Sequence, residues 1–234
     1  MNLKKISLTV IIPFYNESSY IQESIERVLE LDIVDEIILS DDCSTDGSEK
    51  IAKEYAEKYK VISYIRSSEN LGKGNALINS KNLISSSHVI IHDADLEYFP
   101  EDIIEMYQAS LQNEDALILG SRFIGIKERK NVYIRTLFAN KAMSLFFSLV
   151  NFIYVSDVAT CYKLIPSKFF KTVDFKEKGF SIEIELLSKF LKYKRHIIEI
   201  PITYQGRSYS EGKKIKTFDG FKYLLNTLKY RFFN

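Results

Sequence analysis

Cysteine is scarce in this sequence: Cys43 and Cys161 are the only two in 234 residues. Two thiols in a chain of this length do not make a disulfide framework, so a reducing, cytoplasmic setting is expected. An excess of charge of one sign is missing too. The 32 Lys and Arg stand against 31 Asp and Glu, for a formal net charge of +1. No global field then draws the chain to nucleic acid, which is not expected as a partner, and any basic patch must be local. Long apolar runs are also lacking. The longest uncharged stretch, residues 142–155, holds about fourteen residues, whereas a helix needs about 20 to cross a bilayer. That stretch is expected to be buried or to lie on a membrane surface. The apolar run near the start ends at Pro13, too short for a signal-peptide core, and no targeting segment is expected. The three histidines, His88, His92 and His196, are scattered and match no zinc-ligand spacing. Repeats, low-complexity tracts and Gly/Ser linkers are absent, which argues for one domain of two lobes across residues 1–234.

What is present is an ordinary core composition. Hydrophobic residues at 46% and charged residues at 27% exclude a disordered chain. The first half alternates strand and helix patterns, which predicts an α/β fold with a mostly parallel sheet flanked by helices. Strands are expected at 8–12, 36–40, 61–65, 88–92 and 116–119. Ser18 or Ser19 is expected to cap a helix with Ile21, Ile25, Val28 and Leu29 on one face. Thr45 and Asp46 open a second helix, 74–84 forms a third, and Pro100 suits the first position of a fourth. The second half is less regular. It predicts helices at 135–154, 181–191 and 218–232, with strands at 160–165 and 196–204. In the last helix Phe221, Leu224, Leu225, Leu228 and Phe232 share a face that is expected to close the core.

Polar clusters fall just beyond the predicted strands: Asn16-Glu17, Asp41-Asp42 and Asp93-Ala94-Asp95. Open sheets of this kind bind ligands there. If the chain stays extended, Asp93, Asp95 and Glu97 share one side. Converging carboxylates repel unless a cation sits between them, and hard oxygen donors suit Mg²⁺ or Mn²⁺, which hold substrate phosphates. An isolated Asp-x-Asp can equally be a solvated acidic turn capping the next helix. Gly72-Lys73-Gly74 fits neither a P-loop nor a dinucleotide fingerprint.

Further segments complete a pattern: Pro13-Phe14-Tyr15-Asn16-Glu17, Ser40 to Ser48, Asn70-Leu71-Gly72-Lys73-Gly74-Asn75-Ala76 and Gly120-Ser121-Arg122. In this order and spacing they resemble the family 2 glycosyltransferases of the GT-A fold, and within them the dolichyl-phosphate mannose synthase-like branch. Asp157-Val158-Ala159-Thr160-Cys161-Tyr162-Lys163 is similar to the branch's acceptor-side segment, although Gly is common where Cys161 stands. Gly179 to Leu186 resembles its acidic helix start, and Arg207 with Glu211 to Ile215 its basic loop. The likeness spans about residues 8–232.

The resemblance implies an inverting transfer from a nucleotide-diphosphate sugar, GDP-mannose or a UDP-sugar, to a polyprenyl-phosphate or saccharide acceptor, with Mg²⁺ or Mn²⁺. It implies a Rossmann-like nucleotide-sugar-binding lobe over 1–122, and an acceptor-side lobe over 123–234 with a basic lid loop and a C-terminal helix. Pro13, Tyr15 and Glu17 would line the nucleoside pocket and Asp41 would bond the base or ribose. Lys73 and Ala94 would also border the donor. Asp93 would lie near the sugar and ribose, and Asp95 with Glu97 would ligate the metal, though Gln can fill the place of Glu97. Arg122 would contact phosphate, and Arg207 with Lys213 or Lys214 would fold over the diphosphate. A hydroxyl acceptor needs a general base. Glu185 matches the family's pattern better than Glu183, whereas a phosphate acceptor needs no strong base. The branch often carries C-terminal transmembrane helices; here a cytoplasmic protein, with peripheral contact at the inner face of a membrane, is expected. Nothing in the sequence speaks to an oligomeric state.

Two other functions compete. Sugar-phosphate nucleotidyltransferases have a related fold but carry a Gly-rich loop after the first strand, where this chain has residues 13–17 without glycine. A non-catalytic nucleotide-sugar-binding module would be expected to lose the aspartates or lid cations, and Asp41, Asp93, Asp95, Arg122 and Arg207 are all present.

Overall fold

The computed structural model describes residues 6–131, 133–207 and 217–233. In chain order the elements are β1 (Leu8–Phe14), α1 (Ile21–Leu29), β2 (Glu36–Asp41), α2 (Ser48–Lys58), β3 (Ile62–Arg66), α3 (Lys73–Ser80), β4 (His88–Ile91), α4 (Asp102–Gln112), β5 (Leu117–Ser121) and β6 (Arg129–Lys130). Then follow α5 (Ile134–Asn151), β7 (Lys163–Pro166), α6 (Ser167–Thr172), α7 (Ile182–Tyr193), β8 (Ile197–Pro201), β9 (Tyr204–Gln205) and α8 (Thr217–Phe232). The main sheet runs β3-β2-β1-β4-β7-β5-β8, and β6 pairs with β9. Every pairing in the main sheet is parallel except those of β7, which lies antiparallel between β4 and β5. Strands from both halves of the chain therefore share one sheet.

The apolar runs of β1 and β4 follow from this position. Both faces of the sheet are covered, so every residue of both strands is buried. Val10 and Ile12 enter the core on one face with Ile90, and Ile11 enters the other with Val89 and Ile91. The α1 stripe is as expected, with Ile21, Ile25 and Val28 buried. Its cap is not. Neither Ser18 nor Ser19 caps α1; the Glu17 carbonyl accepts the amides of Tyr20 and Ile21 instead.

The last helix is turned differently from expectation. In α8 the buried side chains are Tyr223, Asn226, Thr227 and Tyr230, while Leu225, Leu228 and Phe232 are exposed. Of the stripe expected to close the core, these three residues thus face out, and Leu224 is half-buried. Polar partners explain the choice: the Tyr230 hydroxyl donates to Glu177 Oε1 at 2.7 Å and the Tyr223 hydroxyl to the Phe180 carbonyl at 3.0 Å. α5 likewise turns apolar residues outward: it buries Ser144, Phe147, Ser148 and Asn151 and exposes Ile134, Phe138, Leu145 and Leu149. Phe152, at its C-terminus, is exposed as well. These helices pack against each other. Among the described residues, no helix is long and apolar enough to cross a membrane.

Candidate active site

Three strands end in residues with left-handed backbone. Asn16 after β1 has φ 53°, Cys43 after β2 has φ 69° and Leu96 after β4 has φ 59°. For a bulky side chain such as Leu96 this conformation costs about 1–2 kcal/mol, and such strain collects at functional sites. Its effect here is to turn the chain. Residues 93–97 do not continue as the extended segment considered from the sequence. The Glu97 amide folds back onto Asp95 Oδ1 at 3.2 Å, and Asp93, Asp95 and Glu97 converge by a turn instead of by alternation.

They converge on a cavity of about 530 Å³ beyond the carboxyl ends of β1, β2 and β4. Of the residues singled out in the sequence, Pro13, Tyr15, Glu17, Lys73, Asp93 and Ala94 line it, as do Asp95, Glu97, Arg122 and Arg207. Arg207 arrives from the far end of the chain. The Gln205 amide donates to the Glu97 carbonyl at 2.9 Å, which lays the segment after β8 against the acidic turn. Lys213 and Lys214 lie outside the described residues.

The acidic wall is organised around Arg207. Its Nη2 donates to Asp95 Oδ2 at 2.9 Å, its Nη1 to Glu17 Oε2 at 3.2 Å, and its backbone amide to Glu97 Oε1 at 2.7 Å. The Tyr204 hydroxyl donates to Glu97 Oε2 at 2.6 Å. Burial, with Glu97 and Asp93 adding repulsion, pushes the Asp95 carboxyl up to about 7 despite Arg207. Burial is the larger cause and the crowding of the three acids the smaller. Among the described residues no group of three or more His, Cys, Asp or Glu could hold a metal ion alone. Two carboxylates, with phosphate oxygens from a substrate, nevertheless form a donor set that suits Mg²⁺ or Mn²⁺. The residues fit a divalent ion on that basis.

Arg122 lies beside Tyr204. Its Nε and Nη2 donate to Asp157 at 2.7 and 2.8 Å, and its guanidinium carbon lies 4.9 Å from the Tyr204 ring centroid. One edge of the guanidinium is thus spent on a buried carboxylate, and aromatic rings fix its plane.

Two expected site residues stand elsewhere. Asp41 is fully buried and does not line the cavity. It accepts the Ser44 amide at 2.7 Å and the Tyr64 hydroxyl at 2.9 Å, which organises the turn into α2. Its neighbour Asp42 takes the cavity position and accepts the Gly72 amide at 2.5 Å. Strand alternation makes the two aspartates diverge. Glu185 is likewise away from the cavity. Its carboxylate accepts the Lys176 amide at 2.8 Å and the Glu177 amide at 2.7 Å, and lies 2.7 Å from Lys189 Nζ. Those bonds give it a structural task. Glu183, one face round α7, is the carboxylate that lines the cavity. Sequence reasoning placed Asp42 in the polar cluster after β2 but gave the role to Asp41, and it missed Tyr98 and Tyr204. Only adjacency to Glu97 and Arg207 could have signalled those two.

A mostly parallel sheet with a charged cavity past its strand ends, here carrying an acidic turn, defines a GT-A nucleotide-sugar transferase fold. Residues 9–173 match glycosyl transferase family 2, and the chain belongs to that family of glycosyltransferases. A dolichol-phosphate mannosyltransferase of Pyrococcus furiosus is 28% identical over 231 residues, covering 96% of this chain and 64% of its own. A UDP-N-acetylglucosamine–dolichyl-phosphate N-acetylglucosaminyltransferase of Methanococcus voltae is 27% identical, covering 91% of each chain. The dolichol-phosphate mannosyltransferase of Mycosarcoma maydis is 31% identical over 84% of this chain and 67% of its own. The dolichyl-phosphate branch resemblance is therefore upheld. This chain spans just under two thirds of the Pyrococcus relative's length. Glucosyl-3-phosphoglycerate synthase of Mycobacterium tuberculosis, solved with Mn²⁺, UDP and glucosyl-3-phosphoglycerate, shares the fold with a TM-score of 0.72 at 19% identity, over 97% of this chain and 80% of that one. The same enzyme was also solved with Mg²⁺ and UDP.

Proposed function

We propose that this chain moves a sugar, with inversion, from a GDP- or UDP-sugar to a lipid-phosphate acceptor in glycolipid or cell-surface polysaccharide synthesis. The observation that carries this reading is the meeting of Asp95, Glu97, Arg207 and Arg122 around one cavity of about 530 Å³. It joins a cation-binding acidic pair to two guanidinium groups suited to phosphate. Relatives named for dolichyl-phosphate sugar transfer support the same direction.

In this reading Pro13, Tyr15 and Glu17 hold the nucleoside, with Asp42 beside them. Asp93 and Ala94 border the ribose and sugar. Asp95 and Glu97 hold Mg²⁺ or Mn²⁺, which when bound offsets charge developing on the departing diphosphate. Arg207 competes with that ion for Asp95, so it exchanges its carboxylates for the diphosphate and closes over it, together with Lys213 and Lys214. Arg122, fixed by Asp157, turns its remaining edge to phosphate. The lobes divide accordingly, donor over 1–122 and acceptor over 123–234.

The state of the carboxylates favours a phosphate acceptor. A saccharide hydroxyl requires a base, but Glu185 is sealed by backbone amides and Glu183 is ion-paired with Lys73 and Lys163. A phosphate oxygen is already a nucleophile at neutral pH. The outward apolar faces of α5 and α8 support docking at the inner face of a membrane. They are flanked by Arg135, Lys141, Lys222, Lys229 and Arg231, and α5 carries no acidic residue. Calorimetry with GDP and UDP in the presence of Mn²⁺ tests the donor site. Absence of Mn²⁺-dependent binding of either nucleotide sinks the reading.

A further inference from the structure

Four charges, the inner two buried and the outer two half-buried, alternate in a line leading to the cavity. Lys163 of β7 donates to the Thr160 carbonyl and lies 2.6 Å from Glu183 Oε2. Glu183 Oε1 lies 2.8 Å from Lys73 Nζ, and that ammonium lies 2.6 Å from Asp93 Oδ1. Side-chain exposure rises along the line, from 0% at Lys163 through 3% at Glu183 and 8% at Lys73 to 23% at Asp93. The charges come from β7, α7, α3 and the turn after β4.

Stability alone does not account for this line. Buried ion pairs stabilise little, because desolvation rivals their attraction, and the same elements already share a core through Leu77, Ile165 and Leu186. Lys73 is also the first residue of α3, an end where the helix dipole disfavours a cation. It is nevertheless firmly placed. Gly72 has φ 104°, and a Cβ on Gly74 would stand 2.2 Å from the Glu177 carbonyl oxygen. The Asn75 amide donates to the Lys178 carbonyl at 2.9 Å. The 177–179 backbone thus clamps the start of α3, and Lys73 is the side chain between two glycines that reaches the cavity.

We propose that Lys73 is a positioning residue that withdraws Asp93 from the cation site. Asp93, Asp95 and Glu97 all line the cavity, and a divalent ion would draw in any carboxylate free to turn towards it. Lys73, anchored from behind by Glu183 and Lys163, holds Asp93, whereas Arg207 faces Asp95 and Glu97. The three acids are thereby divided into a pair for the ion and a single carboxylate for the donor's hydroxyls. This rests on Asp95 and Glu97 being the ion's ligands, as proposed above.

Mn²⁺ binding followed by electron paramagnetic resonance, on the full chain with GDP and separately with UDP, tests it without an activity assay. Asp95→Asn should abolish binding, whereas Asp93→Asn, which loses only a contact to the nucleotide, should weaken it far less than Asp95→Asn does. Lys73→Met should free Asp93 and tighten Mn²⁺ about five-fold, roughly 1 kcal/mol, and adding Asp93→Asn should erase that gain. Lys73→Arg should match the wild type. A Lys73→Met protein with unchanged or weakened Mn²⁺ affinity, as expected of a merely structural lysine, overturns the proposal; so does a gain that survives Asp93→Asn. Should Lys73→Met fail to fold, Asp93→Asn still decides, since a loss as large as that of Asp95→Asn makes Asp93 a ligand. Wild-type protein that binds no Mn²⁺ with either nucleotide would instead refute the donor-site reading itself.

Discussion

Glu185 and His92 illustrate how a residue's surroundings set its task. Glu185 has the sequence context of a catalytic base, but its oxygens are occupied by the amides of Lys176 and Glu177. Glu185→Gln should therefore destabilise the fold by about 2–4 kcal/mol, since buried donors lose a charged acceptor. Nucleotide and Mn²⁺ affinity should stay within two-fold. Urea unfolding combined with calorimetry separates this from a base, whose loss would leave stability untouched. His92 is fully buried, with Nδ1 2.8 Å from the Tyr162 hydroxyl. Burial holds its imidazole down at about 4, against the pull of Asp93 and with the help of Arg27 and Lys73. The folded chain thus keeps His92 neutral where the unfolded chain, below pH 6.5, takes up a proton. Stability is lost as pH falls from 6.5 to 4, by on the order of 3 kcal/mol from this group. Urea midpoints of His92→Gln should fall less steeply over that window than those of the wild type.

At the scale of elements, periodicity told which segments are helices but not which face turns inward. The α8 stripe of leucines and Phe232 was legible as a stripe. Its outward orientation was not, because the Tyr223 and Tyr230 hydroxyls found partners at Phe180 and Glu177, ahead of α7, that only the packed structure supplies. β7 was legible as a strand, yet its antiparallel insertion between β4 and β5 depends on contacts far apart in sequence. The exposed face of α5 carries its own test. Phe138 and Leu149 are 69% and 66% exposed, so replacing both with Ser should alter stability by less than about 1 kcal/mol. Flotation with anionic liposomes should be lost in the double variant. Equal flotation of both proteins would remove α5 from the docking face.

For the whole molecule, the cavity joins groups from Pro13 to Arg207, so a ligand there ties the two halves of the chain together. Mn²⁺ with the preferred nucleoside diphosphate, at about 100 times Kd, should add about 2.7 kcal/mol of stability. At this chain length that raises the melting temperature by roughly 5–10 °C. Chelation with EDTA should remove the shift, while EDTA without nucleotide should leave the melting temperature unchanged.

The sequence by itself determined the α/β class, the strand ends as the place of binding, and ten of the 22 residues that line the cavity, because short motifs at strand termini are local. It also carried the family, since ordered motifs along the chain survive divergence. Tertiary structure alone decided that Asp42 and not Asp41 faces the cavity, that Glu185 is sealed while Glu183 is paired with two lysines, and that Arg207 meets the acidic turn. Those outcomes depend on which backbone amides, rings and charges arrive from distant segments, and hydrogen-bond partners of that kind leave no local trace in the sequence.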